Sequence, residues 1–278
     1  MMLLYDETCF ECSKLITQKY STSFSLGIKA FDKHLHYPIY AIYGFVRYAD
    51  EIVDTFHDKD KLQLLTDFKL KTFESIASKI SLNPVLHSFQ YVVNKYHIDH
   101  ELIIAFLRSM EMDLEKMDYD EDTYKDYIYG SAEVIGLMCL RVFCEGNDDE
   151  YESLEGQAKR LGAAFQKINF LRDIKSDFEE RGRTYFPNVS FGNFSERDKI
   201  TIEKDILKDF EEGKRGIQKL PKGCRAGVYI AYIYYLELYR KVALTSAKDI
   251  STKRIRVSDK KKVLLLAQAL VRNKLNII

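Results

Sequence analysis

Asp50 and Asp54, and again Asp173 and Asp177, stand four residues apart inside largely apolar stretches, and this repeated spacing constrains the fold more than anything else in the chain. The first pair lies in Arg47-Tyr48-Ala49-Asp50-Glu51-Ile52-Val53-Asp54, the second in Asn169-Phe170-Leu171-Arg172-Asp173-Ile174-Lys175-Ser176-Asp177. On a helix, residues four apart share a face, with Cβ atoms about 5–6 Å from each other. Each pair can therefore aim two carboxylates at one point. Unpaired charge among apolar neighbours is costly, so carboxylates facing each other across a helical core call for cations, and hard divalent ions are their natural partners.

The remaining sequence agrees with helices. Only four prolines occur among 278 residues, at 38, 84, 187 and 221, and each punctuates a segment of helical spacing. There are no alternating strands joined by Asn-Gly or Asp-Gly turns, no short repeat and no low-complexity linker. The spacing predicts helices over 7–20, 25–31, 59–78, 84–95, 99–117, 123–145, 149–180, 195–219, 224–247 and 258–276, with another opening at Pro38 and running through Asp54. Residues 188–193 read as the clearest loop. No shift of composition marks a boundary, so one all-α domain over 1–278 is expected.

Composition narrows the function. With 42 basic and 42 acidic side chains the formal net charge is zero, which argues against a nucleic-acid partner held by bulk charge. Met1 to Glu11 lacks the basic start and apolar stretch of a secretory leader, and no window of eighteen apolar residues predicts a membrane span. Cys9 and Cys12 form a lone C-x-x-C; reduced, inert thiols are expected for all five cysteines. The six histidines show no ligand spacing and read as structural. Neither a dinucleotide fingerprint nor a phosphate loop is present.

Asn169, Asp173 and Asp177 fall at i, i+4 and i+8, so they share a stripe that Gln166 and Gly162 extend toward the amino end. Gly162 suits either close approach of a substrate to the backbone or close helix packing. Asp50, Asp54, Asn169, Asp173 and Asp177 form an all-oxygen set suited to magnesium rather than zinc. Magnesium keeps part of its shell for water and phosphate oxygens, which points to a phosphorylated or diphosphorylated ligand. The alternative is solvated acids paired with nearby bases; two pairs, each with an arginine close by in apolar sequence, weigh against it. Arg47, Arg172, Arg181 and Arg183 could grip a diphosphate, although Arg172 suits a plain salt bridge equally well. The basic run Lys253-Arg254-Ile255-Arg256 with Lys260-Lys261-Lys262 reads either as a solvated helix start or as a lid over phosphate.

These motifs, with Ser21-Thr22-Ser23-Phe24, the run Tyr40 to Arg47, Tyr127 to Met138, Gln166 to Asp177 and Arg183-Thr184-Tyr185-Phe186-Pro187, resemble the squalene/phytoene synthase family of head-to-head prenyl diphosphate synthases. The resemblance covers most of the chain and is closest to bacterial-type phytoene synthases. Glu133 stands where the family often has glycine, so the tunnel wall is expected to differ there. The first motif is Asp-Glu-x-x-Asp where many members have Asp-Asp-x-x-Asp, which keeps both outer ligands.

The resemblance implies an all-α bundle around a central cavity. It implies Mg2+, with Mn2+ as a substitute, held by Asp50, Asp54, Asn169, Asp173 and Asp177. Arg47, Arg172 and Lys262 would hold diphosphate, and Tyr43 and Tyr185 would lie near the reacting carbons. Gln166 would touch substrate, while Tyr20, Ser21 and Phe24 would line the entrance to the diphosphate pocket. The implied reaction joins two prenyl diphosphates through a cyclopropylcarbinyl diphosphate. Phytoene from two geranylgeranyl diphosphates, which needs no NADPH, is favoured in a short chain without an apolar carboxy-terminal anchor. Dehydrosqualene or squalene from farnesyl diphosphate, a terpene cyclase and an inactive assembly partner are the alternatives. The setting implied is cytoplasmic, with peripheral contact at the inner membrane face and with downstream carotenoid enzymes.

Overall fold

The computed structural model describes residues 3–114, 119–181, 185–187, 189, 194–252, 254–275 and 277. The side chains of Ser23, Glu180 and Arg181, together with Lys253, Arg183, Thr184 and most of the 188–193 loop, lie outside the described residues. Everything regular among those described is helical. The order is α1 (Leu4–Tyr20), α2 (Thr22–Ile28), α3 (Lys33–Asp54), α4 (Lys61–Ser78), α5 (Pro84–Tyr96), α6 (His100–Met112), α7 (Glu121–Ile128), a π-helical turn (Tyr129–Glu133), α8 (Val134–Phe143), α9 (Asp148–Arg181), α10 (Glu196–Lys219), α11 (Lys222–Ala243), α12 (Ala247–Ile250) and α13 (Asp259–Lys274).

Local sequence accounts for most boundaries. Asn83 caps the amide groups of Val85 and Leu86, and Pro84 follows at the first helical position, where a missing N–H costs nothing. Ser195 and Asp198 cap α10 reciprocally. α3 departs from expectation: it begins at Lys33, and Pro38 sits inside it. Pro38 removes one ladder bond, but Leu35, 2% exposed, anchors the turn before it in the core. The segment expected as one helix over 123–145 is instead broken by the π-helical turn, and α6 stops at Met112 rather than Met117.

Two helices organise the molecule. α3 packs with α1, α4, α5, α6 and α8, and its Phe45 stacks on Phe89 of α5 at 3.8 Å between ring centres, with Phe68 and Phe106 beside it. α9, 34 residues long, packs with α8, α10, α11 and the π-helical turn. α8 touches both α3 and α9, and α2 leans on α11. Two close approaches draw these layers together. A Cβ on Gly162 would sit 2.7 Å from the Ala132 carbonyl, so close packing of α9 on the π-helical turn accounts for this glycine. A Cβ on Gly227 of α11 would strike the Phe31 ring at 2.2 Å and the Gly27 carbonyl at 2.5 Å.

Candidate active site

Between α3 and α9 lies an apolar cavity of about 330 Å³. α3 lines it with Ile39, Ile42, Tyr43 and Val46, and α9 with Leu154, Ala158, Leu161, Phe165, Gln166 and Asn169. Further walls come from α2, the π-helical turn, α8, α10 and α11. The direction of both helices gives the cavity two unlike ends. Toward the amino end of each segment it closes on aromatic and aliphatic side chains, with Phe31 edge-on to Phe143 at 5.2 Å. Toward the carboxyl end it reaches Tyr43 and Val46 on one side and Gln166 and Asn169 on the other. One turn further along each helix stand Asp50 and Asp173, with Asp54 and Asp177 a turn beyond. The two aspartate pairs therefore share the polar end of one greasy trough.

The electrostatics tie these ends together. Burial pushes the Tyr43 phenol up, against the favourable charge of Arg47; Asp50 and the Tyr235 ring of α11 also act on it, and its hydroxyl lies beside Ser21. Burial likewise raises Tyr235, which feels Arg172 and Asp173 and has Asn169 beside it. Tyr43 and Tyr235 thus link the acids of α3 to those of α9 across the mouth. Tyr235 is stacked on Phe165 at 4.1 Å. Spacing along the sequence gave no sign of it, because its neighbours in the run Tyr232-Ile233-Tyr234-Tyr235 look alike; only its position opposite Asn169 distinguishes it.

Arginines occupy the carboxylates. Arg172 makes a two-pronged ion pair with Asp173, its Nε donating at 2.9 Å. Arg254, in the segment joining α12 to α13, reaches the same Asp173 with Nε at 2.8 Å and Nη2 at 3.2 Å. That segment is pinned where Lys175 donates to the Thr252 carbonyl at 3.2 Å. Within the basic run, Arg254 thus adds a second guanidinium to Asp173. Arg47 bridges Asp50 and Glu51 and lies 4.3 Å over the Tyr20 ring.

The other expected residues divide into two groups. Phe24 lines the cavity and stacks on Tyr43 at 4.9 Å, Ser21 caps α2, and Gln166 lines the cavity while donating to the Ser131 hydroxyl at 3.2 Å. Three do not line the cavity. Tyr185 is buried in a stack with Phe170 at 3.9 Å and with Tyr127, on a flank of α9 turned from the cavity, because Phe170 points about 100° around the helix from Asn169. Lys262 pairs with Asp259 at 3.0 Å and lies 5.7 Å from the Tyr234 ring. Glu133 does not line the cavity: the π-helical turn puts Ser131 and Ala132 into the wall. Burial raises the Glu133 carboxyl, opposed by Arg160 and Lys159.

Among the described residues, no three His, Cys, Asp or Glu side chains converge closely enough to hold a metal by themselves. One atom does fit a hard cation: Asn169 Oδ1 is buried with no hydrogen-bond partner, at the mouth and on the same stripe as Asp173. The five cysteines are free, and burial pushes the cavity-wall thiol Cys139 up to about 12, so it stays protonated and inert. Chemically, the arrangement can seat a long apolar chain whose anionic head meets arginines and carboxylate-bound cations.

Comparison with known proteins bears on this geometry. The family model for squalene/phytoene synthase matches residues 17–195. Phytoene synthase 1, chloroplastic, of Solanum lycopersicum is 25% identical over 281 residues, covering 95% of this chain and 68% of that protein. The 4,4'-diapophytoene synthase of Staphylococcus haemolyticus is 26% identical over 197 residues, 70% of this chain and 67% of that protein. Among solved structures, a dehydrosqualene synthase in complex with ligand superposes with a TM-score of 0.81 at 23% identity, covering 97% of this chain and 98% of that one.

Proposed function

The chain belongs to the squalene/phytoene synthase family and is a prenyltransferase, and from that premise we propose that it joins two geranylgeranyl diphosphates head to head to give phytoene. The observation that carries the reading is the apolar cavity that reaches Tyr43 and Val46 on α3 and Gln166 and Asn169 on α9, with Asp50 and Asp173 one turn further along each helix. From Leu154 to Asn169 the trough follows α9 for about 22 Å, at 1.5 Å per residue, a length that suits a four-isoprene tail.

In this reading each substrate lays its tail against the aromatic and aliphatic wall and its diphosphate at the mouth. Arg172 and Arg254 exchange their hold on Asp173 for the diphosphate oxygens, with Arg47 serving the other side. Guanidiniums suit this task because they meet two oxygens at once and stay charged. Asp50, Asp54, Asn169, Asp173 and Asp177 would hold magnesium, the orphaned Asn169 oxygen supplying a neutral ligand. When bound, the metal neutralises the departing diphosphate. Among the described residues no three acids converge alone, so diphosphate and water oxygens would have to supply the remaining ligands.

Loss of diphosphate from one donor leaves an allylic cation; the double bond of the second molecule attacks it, and loss of a proton from the adduct closes the ring of the cyclopropylcarbinyl diphosphate. A second loss of diphosphate, rearrangement and loss of a proton give the linear hydrocarbon. Tyr43 and Tyr235, both lining the cavity near its mouth, put aromatic surface beside these cations, and the walls exclude water that would quench them. Tyr20, Ser21, Phe24 and Gln166 place the head group and first isoprene units. Tyr185 supports α9 from behind through Phe170 rather than meeting the reacting carbons, and Lys262 stands at the α11 side.

A farnesyl-using enzyme is the second reading. The likeness to a 4,4'-diapophytoene synthase favours it. Incubation with each prenyl diphosphate separately, with magnesium and without NADPH, followed by mass analysis, decides between them. A forty-carbon hydrocarbon from geranylgeranyl diphosphate is expected. A thirty-carbon product from farnesyl diphosphate alone would move the assignment to the second reading, and only monomeric cyclic products would remove head-to-head condensation. Arg254→Ala is expected to raise KM about tenfold, the worth of one charge-assisted contact of about 1.5 kcal/mol, with a smaller change in kcat. An unchanged KM would take Arg254 out of the diphosphate site.

A further inference from the structure

α13 docks through a narrow stripe. Leu265 and Ala269 are buried against the body, and Arg272 donates to the Tyr229 hydroxyl of α11 at 2.9 Å. The opposite face is apolar and uncovered: Val263, Leu264, Val271 and Leu275 are 62%, 60%, 58% and 61% exposed, and Leu270 is 46% exposed. At 100° per residue these five fall within one broad arc centred opposite the docked stripe, about 18 Å long from 263 to 275. Surface helices of globular proteins place such a run against a core; here it meets solvent. The charges within the arc are Lys260 at its start and Lys274 near its end, both exposed and both basic.

We propose that this face of α13 is a docking surface for an anionic lipid bilayer, with the helix lying in the plane of the interface. Such helices combine an exposed apolar stripe with flanking Lys and Arg, and they sink that stripe into the boundary between head groups and acyl chains. Lys260 and Lys274 can extend their ammonium groups to lipid phosphates while their methylene stems stay with the apolar stripe. The charge pattern disfavours a second copy of this chain as the occupant. An antiparallel pairing of two such faces brings Lys260 of one copy against Lys274 of the other, like charges at both ends. The surface peripheral to the fold explains a membrane partner without a spanning segment: among the described residues no helix is long and apolar enough to cross a bilayer.

The docked α13 runs antiparallel to α11, since Lys262 near its start meets Tyr234 and Arg272 near its end meets Tyr229. Its first turn therefore stands at the end of the molecule where Tyr235 closes the cavity mouth. A bilayer on this face would hold the mouth close to a reservoir of amphiphilic substrate and a sink for apolar product. The docking surface itself does not depend on which prenyl chain the cavity accepts.

Co-sedimentation of the full chain with vesicles tests the proposal. Vesicles of phosphatidylcholine with one third phosphatidylglycerol are expected to bind the protein at least tenfold more tightly than phosphatidylcholine alone. Leu264→Glu with Leu270→Glu is expected to weaken that binding more than tenfold, while turnover of detergent-dispersed substrate stays unchanged. Lys260→Glu with Lys274→Glu is expected to remove the preference for phosphatidylglycerol with the fold intact by circular dichroism. No vesicle binding by the wild type, or equal binding by the variants, overturns the proposal. So does a dimer in solution that Leu264→Glu with Leu270→Glu dissociates, since the face is then an interface between copies. Binding is read without turnover, so a failure of the catalytic reading leaves this result independent.

Discussion

Asp50→Asn is expected to lower turnover about 10³-fold, the loss typical when one preorganised element of charge stabilisation is removed, while leaving the melting temperature within about 2 °C of the wild type. The side chain of Asp50 is 32% exposed and its partner Arg47 keeps Glu51, so little folding energy rests on its charge. Asparagine keeps the shape and removes the anion. Asp173→Asn should fall as far in turnover but should also lose stability. Its carboxylate is the shared counter-charge of Arg172 and Arg254, and its side chain is only 16% exposed. Removing one member of a partly buried ion cluster leaves the other charges uncompensated. The pair of variants thus separates two explanations for the same residues. If the acids were only salt-bridge partners, Asp173→Asn would melt early and Asp50→Asn would behave as wild type. Diphosphate release within tenfold of wild type from Asp50→Asn would remove the metal assignment, whatever its stability.

Phe45→Ala should destabilise the fold by about 3–5 kcal/mol, the usual cost of a large aromatic deleted from a packed core. Phe45 is 0% exposed and stands at the meeting point of α3, α4, α5 and α6 through its contacts with Phe68, Phe89 and Phe106. The near-parallel stack on Phe89, at 3.8 Å and 2°, leaves little room for neighbours to collapse into the vacated volume. At this chain length that loss lowers the melting temperature by roughly 10 °C. Denaturant titration measures it, and a change below 1 kcal/mol would mean that the ring cluster is looser than its geometry. Tyr43 and Arg47 flank Phe45 on the same helix, so a shifted α3 should also raise KM before the protein melts.

Helix identity was legible because the apolar period of 3.6 persists through nearly every segment, and a helix needs little from elsewhere in the chain to declare itself. The acidic stripe on α9 was legible for the same reason: spacing along a helix fixes which side chains share a face. What spacing cannot reveal is which face of one helix meets which face of another. Arg254 and Tyr235 were passed over individually because their importance arises from contact with Asp173 and Asn169, residues 81 and 66 positions away. The stack of Tyr185 on Phe170 is hidden for the converse reason, since a motif resemblance says nothing about which flank of α9 its ring covers. Pro38 misled the helix start because proline prefers a first turn, and only the burial of Leu35 shows why α3 tolerates it further in. The π-helical turn left no periodic trace at all; one inserted residue shifts the phase of 129–133 and hands the wall position to Ser131 and Ala132 rather than Glu133.

The contact between Arg254 and Asp173 also bears on how the molecule is made. Its mouth draws on Ser21, Tyr43, Asp50, Asn169, Tyr235 and finally Arg254, so the centre is scattered over about five-sixths of the chain. A nascent polypeptide emerging at about 5–20 residues per second can seat Phe45 among its rings long before Arg254 has left the ribosome. Tyr235, the last residue of its walls, precedes Arg254 by 19 residues, so the apolar trough can stand for about 1–4 s with one side of its rim missing. During that interval it is a greasy slot open to any passing hydrophobic segment, and the last stretch of synthesis is what turns it from a hazard into a vessel.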